Sequence, residues 1–205
     1  MVDQTELPRA RLQSVIAFVQ ATERLKDTLR SGITSQGRQE STAEHSWRLA
    51  LMVMLFEDAL GEIDLAHLLK LCLIHDLGEA LSGDVPATEQ QADPDRAARE
   101  RRDMSELCNV LPGDLQERMM KLWDEYAAGE TGEAVLAKAF DKLETMYQHL
   151  LGRNPPGFDY QFNLGYGRRY TDRHPLTREL RAMLDTETRA RIAELQTPDK
   201  GQPCA

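Results

Sequence analysis

Two short stretches of this sequence set histidines and carboxylates into otherwise apolar helical segments. The first, STAEHSWRLA, contains His45. The second, IHDLGEALSGD, carries four ionisable groups within ten positions: His75, Asp76, Glu79 and Asp84. Neutral imidazole and carboxylate are ordinary ligands of divalent metals such as Zn, Mn, Co and Fe. Ionisable groups at this density on a core-facing surface are costly unless they pair or bind a metal.

The spacing of these residues distinguishes a site from an incidental polar network. A lone His-Asp pair also fits a hydrogen-bonded core histidine with its aspartate partner. However, Glu79 lies four residues after His75 and three after Asp76, so in one continuous helix it projects from their face. Two antiparallel helices with a short connection can bring the start of one beside the end of the other. We therefore expect His45 to meet His75 and Asp76.

A further carboxylate lies in the segment LAKAFDKLE. Asp141 is surrounded there by inward-facing apolar residues at helical spacing, which makes it a candidate fourth ligand. The alternative is an ordinary exposed aspartate paired with Lys138 or Lys142. From these residues alone, both interpretations stay open.

The elements that must position these residues are predicted to be helices almost throughout, because apolar residues recur at three- and four-residue spacing. The pattern predicts helices at about 9–29, from Thr42 to Gly61, from Asp64 to about 81–83, and at about 94–109, 114–127, 133–151 and 176–195. Ser41 and Glu44 form a capping box for the second helix, and Asp64 is the N-cap of the third. RSGITSQGRQ is interpreted as a loop, and we find no convincing strand pair.

Two apolar faces are predicted in particular. The first helix should bury one stripe, consisting of Leu12, Val15, Ile16, Val19 and Leu25. The helix at about 133–151 should turn its own stripe inward: Val135, Leu136, Ala139, Leu143, Met146, Tyr147 and Leu150.

The length of 205 residues suits one domain with a sizeable core. We predict a single all-α helical bundle over 1–205. Its parts are an N-terminal helix at about 9–29, a core at about 30–151, a wrapping segment and helix at about 152–196, and a frayed tail at 197–205.

Composition excludes several classes of protein. The formal charge of −9, from 34 acidic and 25 basic residues, argues against binding a nucleic acid polymer, which needs a basic face. A small anionic substrate is still allowed, because a metal and a few arginines can reverse the local potential. Charge interrupts every apolar run well before about 18 residues, so no membrane span is expected. Three widely spaced cysteines and an N-terminus without an apolar h-region favour the cytoplasm.

The order H…HD…D resembles the signature of HD-domain metal-dependent phosphohydrolases. Here it reads His45, His75–Asp76 and Asp141. The segments ESTAEHSWRLALM, LIHDLGEALSGDVP and LAKAFDKLE are similar to the branch that includes bacterial 5′-deoxynucleotidases. The resemblance runs from about Arg30 to Leu151 and continues more weakly to the C-terminus.

The resemblance implies roles for particular residues. The four signature residues would ligate one divalent cation, drawn from Mn, Co, Zn, Fe or Mg. Glu79 and Asp84 match positions that orient the attacking water and manage protons. Arg30 or Arg38, in the loop before His45, would hold the phosphate, and the choice between them is open. Where several relatives carry a tryptophan near the substrate, this chain has Ile33.

The expected function is a metal-dependent phosphomonoesterase acting on a nucleoside 5′-monophosphate or a similar small phosphate ester, by attack of a metal-bound water on phosphorus. The alternative is a nucleotide-binding regulatory module without turnover, although such a module has no need of an acid–base pair. A dinuclear redox site is disfavoured because residues 77–140 contain no histidine. The resemblance also suggests a homodimer.

Overall fold

The structure is a computed structural model and describes residues 7–86 and 95–196. Its helices are α1 (Arg9–Thr22), α2 (Thr42–Leu55), α3 (Leu65–Ile74), α4 (Glu79–Ser82), α5 (Arg96–Cys108), α6 (Gly113–Ala128), α7 (Gly132–Leu151), α8 (Gln161–Gly165), α9 (Arg168–Thr171) and α10 (Pro175–Gln196). Two 3₁₀ helices follow α1 and α2, at Glu23–Lys26 and Glu57–Ala59. The strands are β1 (Leu29–Ile33) and β2 (Gln39–Ser41). The all-α fold class is confirmed.

Helix α7 is the centre of the fold, and it packs against α2, α3, α6 and α10. Its buried side chains contact two apolar clusters. One cluster joins α2, α3 and α7 through Leu49, Leu71 and Phe140. The other joins α7 to α10 through Leu143 and Leu184. A carboxylate on the buried face of α7 is therefore surrounded by helices rather than by water.

Capping residues fix where helices α2 and α3 begin. Ser41 and Glu44 form both hydrogen bonds of the predicted capping box, so α2 begins at Thr42. The Asp64 side chain accepts a hydrogen bond from the His67 backbone N–H and begins α3, as predicted. Because α2 packs against α3, the first turn of α2 lies beside the end of α3.

The loop prediction for RSGITSQGRQ is wrong, because this segment is a β-hairpin. Strands β1 and β2 are antiparallel, with Leu29 opposite Ser41 and Ile33 opposite Gln39. Its turn contains Gly37 at a φ of 85°, a value that favours glycine. The strands are short and mostly polar, without the apolar alternation that identifies a strand in sequence. The hairpin carries Arg30 to the end of α3.

The prediction that the third helix continues to about 81–83 is also wrong. Helix α3 ends at Ile74, residues 75–78 form turns, and α4 is a separate short helix. Gly78 lies against α5: a Cβ there would stand 3.2 Å from the Glu100 carbonyl oxygen and 3.2 Å from the Met104 nitrogen. Close packing of α5, rather than local sequence preference, accounts for the break.

Two predicted apolar faces are partly wrong. Helix α1 ends at Thr22 and buries Phe18, whereas three residues of its predicted stripe are exposed: Leu12, Ile16 and Val19. On α7, Tyr147 is likewise exposed. The predicted frayed tail lies outside the described residues. Within the described ranges, no helix is both long and apolar enough to cross a membrane.

Candidate metal centre

The structure brings the four signature residues together at the base of a cavity. His45 lies in the first turn of α2, His75 and Asp76 follow α3, and Asp141 lies in the middle of α7. Nε2 of His45 is 3.3 Å from Oδ1 of Asp141 and 3.9 Å from Oδ2 of Asp76. Nε2 of His75 is 2.9 Å from the same Asp76 oxygen. Ligand atoms of His45, His75 and Asp76 therefore lie within 4.8 Å of one another, and Asp141 adjoins this group through its contact with His45.

The hydrogen bonds around these side chains fit a bound cation. Nε2 of His45 and Nε2 of His75 are buried and have no hydrogen-bond partner within the described residues. Their other ring nitrogens are engaged, since His45 Nδ1 contacts the Glu144 carboxylate and His75 Nδ1 lies 2.8 Å from the Cys72 carbonyl oxygen. Such outer contacts fix the ring orientation and leave Nε2 for a metal. These donors fit a borderline divalent ion.

Hydrogen bonds to neighbouring side chains also fix the orientation of the Asp141 carboxylate. Its Oδ2 accepts hydrogen bonds from the Tyr126 hydroxyl and from Lys142 Nζ, both at 2.8 Å, while Oδ1 faces His45. The pairing with Lys142 matches one of the two interpretations of this residue. That interpretation also expected Asp141 to be exposed, whereas the residue is buried.

The charged groups of the site shift one another's pKa values. Burial and the Arg30 charge lower the pKa of His45, but the Glu144 and Asp141 carboxylates outweigh them and raise it to about 10. Burial alone would raise the pKa of Asp141, yet Lys142 and His45 hold it well below its ordinary value. A proton on His45 thus offsets the negative charge of the surrounding carboxylates, as a bound cation would. Metal binding should therefore displace this proton.

Glu79 and Asp84 lie beside this group and line the cavity. Thr42 Oγ1 donates a 2.9 Å hydrogen bond to Glu79 Oε2. Burial, together with the charges of Asp76 and Asp84, raises the pKa of Glu79 to about 9. Burial also raises the pKa of Asp84. Two carboxyl groups with raised pKa values next to a metal centre suit proton transfer.

The structure places one of the two candidate arginines at the site. Arg30 Nη1 lies 3.1 Å from Asp76 Oδ2 and 3.9 Å from Asp84 Oδ1. Arg38 is exposed and binds the Glu44 carboxylate at 2.5 and 2.8 Å, where it lines a separate groove. Of the two candidates for the phosphate, Arg30 lines the cavity, whereas Arg38 does not. Ile33 does not line the cavity either.

The cavity has a volume of about 660 Å³, within the usual range for small-molecule sites. Aromatic side chains form much of its wall: Trp123, Phe158, Phe162, Tyr166 and Tyr170. His149, on α7, also lines it. Its Nδ1 is 2.8 Å from Asn163 Oδ1, and its ring lies edge-on to Phe158. Burial lowers the pKa of His149.

An ion-pair network lies behind His45, and it was not predicted from the sequence. Glu144 is fully buried, and Arg48 Nε donates to it at 2.6 Å. Arg48 Nη2 is also 3.3 Å from Glu40 Oε1. Glu40, His45 and Glu144 lie close enough to hold an ion, but the Arg48 guanidinium already lies between these two carboxylates. Helical spacing was the available signal, since Arg48 follows His45 by three residues and Glu144 follows Asp141 by three.

The fold and the site together define a class: an all-α protein with a buried His/Asp centre for a divalent metal at the base of a cavity. The chain belongs to the HD domain family, whose model matches residues 22–181.

Proteins of known name or structure agree with this assignment. The chain is 32% identical to a Dictyostelium discoideum protein named 5′-deoxynucleotidase HDDC2, over 67% of this chain and 76% of that protein. It is 27% identical to the Bos taurus protein of the same name, over 94% and 93% of the two chains. A solved structure of a predicted metal-dependent phosphohydrolase from Magnetospirillum magnetotacticum MS-1 superimposes with a TM-score of 0.74. That structure is 29% identical and covers 88% of this chain and 97% of its own.

Proposed function

We propose that this protein is a metal-dependent phosphohydrolase that releases phosphate from a 2′-deoxynucleoside 5′-monophosphate or a similar small ester. One observation carries the proposal: two buried Nε2 atoms, neither in a hydrogen bond within the described residues, lie against the Asp76 and Asp141 carboxylates beside the Glu79–Asp84 pair. Relatives named 5′-deoxynucleotidases support the substrate class.

His45, His75, Asp76 and Asp141 would hold one divalent cation. When bound, such a cation lowers the pKa of a coordinated water and neutralises charge on phosphoryl oxygens. It would be Mn, Co, Zn, Fe or Mg, and the donor set suits the borderline ions among these best.

The chain's own residues would orient the ester and move protons. Arg30, held by Asp76 and Thr145, would donate to phosphoryl oxygens with a planar guanidinium. Water adds to phosphorus, the bond from phosphorus to the leaving oxygen breaks, and the leaving oxygen takes up a proton. Glu79, protonated at neutral pH in the metal-free protein, is suited to donate that proton. Asp84 would accept the proton that the water loses.

Three further features belong to the same proposal. A cytoplasmic location is supported by Cys72 and Cys108, which are buried and unpaired. A homodimer is supported by large exposed apolar side chains on α2, such as Trp47 and Leu55. A single domain over 1–205 is supported by the packing of α10 on α7.

The test is a phosphate-release screen across ribo- and deoxynucleoside monophosphates, sugar phosphates and an aryl phosphate, with each of the five metals. His75→Ala and Asp141→Ala should abolish release. The matched control His67→Ala changes a surface histidine on α3 that contacts Glu125, and it should keep activity. No release from any substrate would overturn the proposal, and nucleotide binding without turnover would favour the regulatory module instead.

A further inference from the structure

Three cationic side chains line the cavity on the α7–α9 side. Lys138 and Lys142 are on consecutive turns of α7, and Arg169 is on α9. Lys142 Nζ contacts Asp141. Lys138 Nζ lies 4.0 Å from the centre of the Tyr126 ring and 5.4 Å from that of Tyr170. The Arg169 guanidinium lies 4.6 Å from the centre of the Tyr170 ring.

Two of these cations have no nearby acidic partner. Among the described residues, no carboxylate lies within 4.0 Å of the charged group of Lys138 or of Arg169. In a chain with a formal charge of −9, such a cluster is unusual. Burial lowers the pKa of Lys138 to about 8, and the charges of Lys142 and Arg169 contribute to that shift. The cations are thus close enough to repel one another.

Two glycines allow the chain to close onto the lysine stems. Gly129 and Gly167 have φ values of 62° and 71°. A Cβ on Gly129 would lie 2.8 Å from Cε of Lys138, and a Cβ on Gly167 would lie 2.5 Å from Cγ of Lys142. These contacts hold both stems in place, so the ammonium groups are presented to the cavity by the fold.

The three cations differ in how directly they contact the metal centre. Lys142 touches the ligand Asp141 directly, whereas Lys138 lies over the ring of Tyr126, whose hydroxyl bonds Asp141. Arg169 lies over the ring of Tyr170. A phosphate at the metal centre would meet Arg30 on the Asp76 side. Lys138 and Arg169 line the same cavity without a carboxylate within 4.0 Å among the described residues, so they are available to a different group of the ligand.

We propose that Lys138, Lys142 and Arg169 form an anion subsite for a second phosphate of the substrate. Phosphate esters with two phosphate groups, such as a nucleoside 3′,5′-bisphosphate or a sugar bisphosphate, are then the preferred class. This rests on the proposed function for the phosphate that is hydrolysed. The second phosphate stays intact and relieves the repulsion among the three cations.

The test compares kcat/KM for a 2′-deoxynucleoside 5′-monophosphate and the matching 3′,5′-bisphosphate, and for a sugar monophosphate and its bisphosphate. The wild type should prefer the bisphosphate of one pair by about tenfold or more. Lys138→Met and Arg169→Gln should each remove most of that preference and change monophosphate turnover by less than about twofold. Lys121→Met, which changes an exposed lysine of α6, is the matched control.

The other outcomes overturn the proposal. Equal wild-type turnover of both members of each pair would do so, and so would equal losses for mono- and bisphosphates in the variants. The second result would mean that the cations serve the transferred phosphate or the metal ligands. Arg169 is exposed, so its variant keeps the test valid if Lys138→Met does not fold.

Failure of the proposed function is distinguishable from failure of the subsite. If neither ester of either pair is hydrolysed, calorimetry measures binding of the two bisphosphates to the metal-loaded protein. Binding weakened about tenfold by Lys138→Met or Arg169→Gln would support the subsite without catalysis. Unchanged binding would reject it.

Discussion

The two nitrogens of the His45 ring face two different environments. Nδ1 faces a closed network in which Glu144, Arg48 and Glu40 pair with one another. Nε2 faces the carboxylates of Asp141 and Asp76, at 3.3 and 3.9 Å, and has no hydrogen-bond partner within the described residues. The Nδ1 side, or closed side, ends in ion pairs with Arg48. The Nε2 side, or cavity side, carries the candidate metal ligands His75, Asp76 and Asp141, which line the cavity.

This difference separates positioning from chemistry. Side chains on the closed side contact neither the cavity nor a substrate, so they act by fixing the ring and raising its basicity. Those on the cavity side, Glu79 above all, line the cavity in which the proposed substrate would bind. Substitutions on the two sides should therefore alter different measurements.

The largest effect is expected on the cavity side. Glu79→Gln keeps the shape of the side chain and the contact with Thr42 but removes the transferable proton. We expect kcat to fall about 10²- to 10⁴-fold while metal content stays unchanged. Steady-state phosphate release and elemental analysis measure the two effects. Glu106→Gln, an exposed position on α5, is the control. If Glu79→Gln instead lost the metal, Glu79 would be a ligand rather than a proton carrier.

On the closed side, Glu144→Gln should weaken metal binding about 10- to 100-fold, because a neutral amide supports the His45 ring less well than a carboxylate does. Calorimetric titration of the metal-free protein with Mn²⁺ or Co²⁺ measures this without reference to activity. Glu187→Gln, on the exposed face of α10, is the matched control. Unaltered affinity with reduced kcat would place Glu144 among the catalytic groups and would contradict the division drawn here.

Stability against pH gives a smaller effect. The pKa of Glu79 is about 9 in the folded metal-free protein and 4.5 ordinarily. Between these values the folded state holds a proton that the unfolded state has lost, so unfolding becomes easier as pH rises through this window. Glu79→Gln removes this dependence. At the alkaline end, we expect the variant to be about 1–3 kcal/mol more stable than the wild type. Denaturant unfolding at a series of pH values measures it, and identical slopes would refute it.

The smallest effect is expected at Arg38, which is outside both environments. Arg38→Gln breaks an exposed pair with Glu44 and should change stability by less than about 1 kcal/mol. Its kcat/KM should stay within about twofold of wild type.

Arg30→Gln should lower kcat/KM about 10- to 100-fold through loss of a charged phosphate contact. Comparable losses in both variants would return Arg38 to the site.

The parts of the fold that could be predicted are those set by local chemistry. The Ser41–Glu44 capping box and the Asp64 cap fix the starts of α2 and α3, and thereby the place of His45. Strong apolar periodicity defines α7, and with it the position of Asp141. The family resemblance supplied the link between these segments.

The remainder depends on packing between distant segments. The break after Ile74 arises where Gly78 meets α5, and no residue near it signals a helix end. The hairpin bearing Arg30 lacks an apolar alternation. The first-helix stripe has the right period, but the fold buries Phe18 and leaves Ile16 exposed. The three-residue spacing in α2 and α7 contained the signal for Arg48 and Glu144, although spacing alone does not reveal which polar residues are buried.

The central claim is that one cation, held by His45, His75, Asp76 and Asp141, is required for hydrolysis. The most direct measurement adds a divalent metal stepwise to the metal-free protein and follows phosphate release from a 2′-deoxynucleoside 5′-monophosphate. Activity should rise from zero and saturate at one cation per chain, and Asp141→Asn should stay inactive throughout. Saturation only at two cations per chain, or turnover by the metal-free protein, would contradict the account.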